Sequence, residues 1–157
     1  MEDTAVSSGD TARGRATPVH LWVVGLLATL WDAFGAYDYI MTRTENVDYL
    51  RKMMPNVDPA VTLAWVDSIS VIPSAGWALG VWGGLVGSLL LLLRSRHSVA
   101  AYLLSAVGAI VSFAFQFFGP NRPPAELADP VMPVVIIAVT IGLFLYARAM
   151  RQKGVLA

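Results

Sequence analysis

Ser74-Ala75-Gly76-Trp77-Ala78-Leu79-Gly80-Val81-Trp82-Gly83-Gly84-Leu85-Val86-Gly87-Ser88-Leu89-Leu90-Leu91-Leu92-Leu93 runs for 20 residues without a charged side chain, and Arg94 ends it. A helix rises about 1.5 Å per residue, so this stretch matches the roughly 30 Å hydrocarbon core of a bilayer. Outward from it, three more apolar stretches approach the same length. The four spans are read at residues 19–40, 74–93, 98–118 and 131–147. The fold class that follows is an all-α membrane protein. It is a four-helix transmembrane bundle occupying residues 18–151 and embedded in the lipid bilayer.

Composition agrees. Of 157 residues, 56% are hydrophobic and 14% charged, and mean hydropathy is +0.60. Soluble domains sit near 45–50% apolar and about 25% charged, so a disordered chain is excluded and an ordinary soluble enzyme disfavoured. No cysteine is present, which removes disulfides, thiolate metal sites and cysteine nucleophiles. The net charge is zero and the basic residues are scattered, so no nucleic-acid partner is expected.

Basic residues divide unevenly between the connections. Seven (Arg13, Arg15, Arg94, Arg96, Arg148, Arg151 and Lys153) fall on one side if all four segments cross. Four (Arg43, Arg51, Lys52 and Arg122) fall on the other. The positive-inside rule then puts both termini in the cytoplasm. Residues 1–17, rich in Ser, Thr, Gly and charge, read as a disordered cytoplasmic tail, and residues 152–157 as a cytoplasmic C-terminal tail. A cleaved signal peptide is the rival for the first span. Its apolar run continues to Ile40, however, and Trp31 and Asp32 sit badly before a cleavage site. A retained helix is the better reading.

The longest connection, residues 42–73, is external on this topology and holds short amphipathic helices. Asp58-Pro59 reads as an N-cap and first-turn proline, with Val61, Ala64, Trp65 and Ser68 following at helical spacing. A second piece near residues 47–54 has Tyr49, Leu50, Met53 and Met54 as its apolar face. Pro73 is read as separating these pieces from the second span. Residues 119–130, with five Pro or Gly among twelve, form a stiff external cap.

Small residues stripe the spans. The second stacks Gly76, Gly80, Gly83, Gly84, Gly87 and Ser88, and the third Ser105, Gly108, Ser112 and Gln116. Small residues let membrane helices approach closely, so Gly76, Gly80, Gly83, Gly84, Gly87, Ser88, Ser105 and Gly108 are assigned to packing. The fourth span has only Ala138 and Gly142 and is expected to face lipid most. Asp32 stands apart, about 12 Å below the outer end of its span. A charged Asp near mid-bilayer costs about 2.5–3.5 kcal/mol, and no Lys or Arg inside any span can pair with it. Matching depths offers Trp82 Nε1, Ser112 and Thr140 as hydrogen-bond partners. Asp32, Trp82, Ser112, Gln116 and Thr140 are therefore the candidate substrate or proton site. Asp38 is placed at the outer boundary, satisfied by Arg43 or water. Tyr37, Tyr39, Trp77 and Phe118 belong to the outer aromatic belt. Two isolated histidines, His20 and His97, make no metal site. No catalytic set and no cofactor motif is found, so an enzyme is not expected.

Leu21-Trp22-Val23-Val24-Gly25 and Trp31-Asp32-Ala33-Phe34-Gly35-Ala36-Tyr37-Asp38-Tyr39 carry a family likeness. So do Trp77-Ala78-Leu79-Gly80-Val81-Trp82-Gly83-Gly84, the run Gly87-Ser88-Leu89-Leu90-Leu91-Leu92-Leu93-Arg94-Ser95-Arg96, and the pairs Ser112-Phe113 and Gln116-Phe117. Over residues 18–151 the chain resembles small bacterial four-helix inner-membrane proteins, uncharacterised in mechanism and often labelled "sugar transporter". The resemblance implies topology and a small polar solute such as a sugar; it implies no catalytic residues. The proline-containing signature of sugar transporters built on three-helix repeats is absent. Transport by four helices calls for a homodimer, because transporters build their sites between repeats. The alternative is a non-transporting module that assembles with or stabilises a larger membrane complex.

Overall fold

The computed structural model describes residues 17–157; residues 1–16, and with them the N-terminal tail read above, lie outside the described part. Six helices follow in order: α1 (Val19–Arg43), α2 (Val47–Met53), α3 (Pro59–Ser68), α4 (Val71–Leu92), α5 (Ser98–Phe118) and α6 (Val131–Gln152). A 3₁₀ turn, Ala125–Leu127, precedes α6, and no strand occurs among the described residues. Helices α1, α4, α5 and α6 are long and apolar enough to cross a membrane. Lipid offers no partner to backbone N–H and C=O groups, and a helix satisfies them within the segment. The chain is a multi-pass, all-helical membrane bundle.

The helices overrun the apolar stretches. α1 continues to Arg43, α4 starts at Val71, and α6 extends to Gln152. Hydropathy marks where the hydrocarbon ends, whereas a helix runs on until its backbone ladder breaks. Glu45, at φ 55°, marks such a break after α1. Pro73 therefore lies inside the first turn of α4 rather than before it. The N–H it lacks would have had no helical acceptor there.

Caps define the short helices. Asp58 Oδ1 accepts the Ala60 N–H at 2.9 Å with Pro59 opening α3, and Asn46 Oδ1 accepts the Tyr49 N–H at 2.9 Å to start α2. Tyr49 and Leu50 are the buried face of α2, while Met53 is exposed. In α3 the buried residues are Thr62 and Val66, whereas Val61, Ala64, Trp65 and Ser68, at helical spacing, are partly or fully exposed. Ala60, Val61, Leu63, Ala64, Trp65 and Val66 make α3 apolar round most of its circumference, so spacing does not select a face.

α4 is central, packing on α1 and α5, and α6 packs on α5. At the α4–α5 crossing backbone meets backbone. A methyl on Gly76 would stand 2.9 Å from the Gly108 oxygen, and one on Gly83 would stand 3.1 Å from the Ser105 nitrogen. Ser105 Oγ donates across the same crossing to the Gly80 carbonyl. A glycine inside a helix costs about 0.8–1.0 kcal/mol relative to alanine in water; here the close approach it permits offsets that cost.

α1 and α6 meet at the end that carries the α4–α5 turn, where the His20 ring and the Tyr146 hydroxyl are hydrogen-bonded at 2.6 Å. The core there joins Leu21, Leu91, Tyr102, Ala147 and Met150 with Val155 and Leu156. Residues 152–157 thus fold back onto the bundle. Gly154 takes φ 69°, a left-handed conformation that an L side chain disfavours by about 1–2 kcal/mol. The Val155 N–H then reaches the Met150 oxygen at 3.0 Å. Arg96 N–H to Ala157 O (2.8 Å) and Ala157 N–H to Arg94 O (2.9 Å) clip the segment to the turn.

Candidate functional site

Toward the opposite end, which carries α2 and α3, the four long helices line a cavity of about 400 Å³. Small-molecule sites span about 300–1,000 Å³. Each wall is one helix face at helical spacing. α1 contributes Trp31, Phe34, Gly35 and Asp38, an i, i+3, i+4, i+7 stripe, with Asp32 at its edge. α4 supplies Trp77, Gly80 and Val81; α5 supplies Ser105, Ala109, Ser112 and Phe113; α6 supplies Met132, Ile136 and Thr140. The wall is mostly apolar, with a few polar groups set into it.

Asp32 is held in place by an absence. A methyl on Gly84 would stand 2.8 Å from Asp32 Oδ1 and 3.3 Å from Ser105 Oγ, so the carboxyl packs directly on the α4 backbone. The Ser88 hydroxyl lies beside both Asp32 and Tyr102, and it bonds back to the Gly84 and Leu85 carbonyls at 3.2 and 3.1 Å. Asp32 Oδ2 and the Tyr102 hydroxyl are buried without a hydrogen-bond partner among the described residues. A buried polar atom left unpaired costs about 1–3 kcal/mol, and more when charged.

Asp38 is placed differently from its expected role. Instead of pairing with Arg43 it accepts a hydrogen bond from the Tyr49 hydroxyl at 2.7 Å, and it lines the cavity. Burial first, and then the Asp38 carboxylate, push the Tyr49 hydroxyl well above the ordinary tyrosine range, which keeps it a donor. Tyr37 meets Tyr49 edge-on at 5.4 Å, and Tyr39 meets Trp77 at 4.8 Å. Two aromatics assigned to a membrane belt, Tyr39 and Trp77, therefore pack on one another, and Trp77 also faces the cavity.

Of the five candidate site residues, the cavity brings together Asp32, Ser112 and Thr140. The Thr140 hydroxyl donates to the Ile136 carbonyl at 2.8 Å, which leaves its lone pairs for other partners. Trp82 stands outside, turned about 100° from Val81 and stacked edge-on to Tyr39 at 6.2 Å. Matching depth does not determine azimuth. Gln116 lines a second, smaller pocket of about 70 Å³ with Trp65, Ser70 and Asn121, and Ser112 borders both spaces. Asn121 Nδ2 donates to the Ser68 carbonyl at 2.6 Å, which fastens the α5–α6 connection over α3. Sequence reasoning missed Trp31, Phe34, Phe113 and Tyr102. The α1 stripe was the available signal, since an acid sharing a helix face with two aromatics departs from a plain lipid face.

Compared with protein-family models, curated proteins and solved structures, the chain gives no match. The functional reading rests on the cavity itself. No group of three or more metal-ligating side chains occurs among the described residues.

Proposed function

We propose that this protein is a bacterial inner-membrane transporter of a small polar solute, with the cavity around Asp32 as its solute site and a homodimer as its working unit. The observation that carries the reading is a cavity of about 400 Å³ bounded by all four long helices, with a carboxyl oxygen buried and unpaired beside it. A bundle that served only to brace a larger complex would gain by filling that space, because lost van der Waals contacts are costly. The closed end is equally relevant. Leu21, Leu91, Tyr102, Met150 and Leu156 seal the bundle beneath Asp32, so passage requires that end to open while the other closes. The charge asymmetry of the connections favours cytoplasmic termini, which makes the sealed end the cytoplasmic one.

The test is uptake into proteoliposomes, with and without a proton gradient, for wild type and Asp32→Asn. A sugar and a small organic cation are offered as solutes. Wild-type uptake that the variant loses, while remaining folded, is the expected result. No uptake of any solute by wild type refutes transport and favours the assembly module. Sidedness is checked with introduced cysteines, since the chain has none. Ser95→Cys is expected to resist an impermeant reagent in intact cells, and Glu126→Cys to react.

A further inference from the structure

The chemistry of the cavity wall narrows the solute. Its only formally charged residues are two acids, Asp32 and Asp38; no Lys, Arg or His lines it. The acids are six residues apart on α1, about 9 Å along the axis, and neither forms an ion pair among the described residues. Four aromatic rings (Trp31, Phe34, Trp77 and Phe113) stand around them. Aromatic faces attract cations through their quadrupole, most strongly where water is excluded. An anion would meet two carboxylates and no donor of opposite charge. A sugar would need a dense set of hydrogen-bonding partners, and two of the three wall hydroxyls already spend their proton on the backbone. Ser105 bonds to Gly80, Thr140 to Ile136, and Asp38 to Tyr49.

The cavity also opens sideways. α6 packs chiefly on α5 rather than on α1, to which the His20–Tyr146 bond ties it at the sealed end. The wall reaches the surface of the bundle at Phe34 on α1 and Met132 on α6, which are 54% and 58% exposed. A ligand with an apolar body could enter there from the bilayer.

We infer that the site takes a small organic monocation with an apolar body, such as an aryl or alkyl ammonium. Its positive head sits on the stretch of wall that carries Asp32 and Asp38 with the Trp31 and Trp77 rings, and its apolar part lies against Phe113, Ile136 and Met132. This assignment rests on the reading of the cavity as a solute site, and binding and transport are separable in the test.

The probe is benzyltrimethylammonium, compared with neopentylbenzene, its neutral isostere in which carbon replaces nitrogen. Binding to purified protein in nanodiscs is followed by tryptophan fluorescence and by calorimetry. The cation is expected to bind at least tenfold more tightly than the isostere. Asp32→Asn should weaken cation binding at least tenfold, Asp38→Asn should weaken it less, and Glu126→Gln should leave it unchanged. Circular dichroism and gel filtration verify folding. If Asp32→Asn fails to fold, the comparison of cation with isostere on wild type decides alone. Equal affinity for the two probes, or no binding of the cation, overturns the assignment. So does cation affinity unaffected by both acid substitutions. Uptake of a neutral sugar together with any of those results would uphold transport and refute the cation. Charge-selective binding without uptake would do the reverse.

Discussion

Gly108→Ala probes the packing that shapes the bundle. The added methyl would stand 2.6 Å from the Gly76 carbonyl oxygen, 2.7 Å from the Gly80 nitrogen and 2.9 Å from Leu79 Cβ. Ordinary contact begins near 3.4 Å, so the shortest approach falls 0.8 Å short (3.4 − 2.6). The two closest obstacles are main-chain atoms of a helix, and no rotamer change relieves them. The α4–α5 crossing must widen along a stretch that also holds the Ser105–Gly80 hydrogen bond. Overpacking costs about 1–3 kcal/mol, and a backbone obstacle places this case at the upper end. Alanine's better helix propensity restores about 0.8–1.0 kcal/mol. The net loss is about 2 kcal/mol, roughly thirtyfold in the folding equilibrium. Gly142→Ala is the control, since nothing lies within 4 Å of a methyl there; it should be neutral or slightly stabilising. The assay is reversible unfolding by SDS in mixed micelles, followed by circular dichroism. Equal stability of Gly108→Ala and Gly142→Ala would refute the account of α4–α5 packing.

Three further outcomes are expected. Ser105→Ala removes the hydroxyl bridge to Gly80 and should lower stability in the same assay by about 0.6 kcal/mol, the average for such bonds in a membrane protein. Tyr49→Phe should reduce the loss of stability at high pH. The folded chain holds the Tyr49 proton above the ordinary tyrosine value near 10, so the stabilisation is complete below about pH 10. It declines as pH rises toward the folded value, because the unfolded chain ionises first; unfolding curves from pH 9 to 11 that are parallel for wild type and variant would contradict this. Gly154→Val should release the clip between residues 154–157 and the α4–α5 turn, because φ 69° is penalised for a β-branched side chain. Faster hydrogen exchange at the Ala157 and Arg96 amides is the readout, and unchanged protection there would show that the turn tolerates valine.

Several features were legible from the residues in order because they are local. An uninterrupted apolar run long enough for the bilayer specifies a spanning helix wherever its neighbours lie, and all four runs became long helices. Asp58 before Pro59 specifies a helix start through a bond only two residues long. The glycines of the second span could be grouped on one stripe by period alone, since 3.6 residues per turn is a property of the helix and not of its surroundings.

What tertiary structure decided was azimuth and adjacency. Lipid and a bundle interior are both apolar, so hydropathy does not tell a wall of Trp31, Phe34 and Ile136 from a lipid face. Which face becomes a cavity depends on α6 packing chiefly on α5 rather than on α1. Depth along the span put Trp82 near Asp32, yet rotation about α4 turned it outward to Tyr39. Asp38 exchanged an expected arginine for Tyr49, whose hydroxyl reaches it only because α2 folds back onto α1. Val155 and Leu156 were read as part of a tail, because two apolar residues beyond a helix carry no periodicity. They became core once Gly154 turned the chain and the α4–α5 connection offered backbone partners. Each outcome depends on groups distant in sequence meeting at one place, and a pattern read along a single helix holds no record of that.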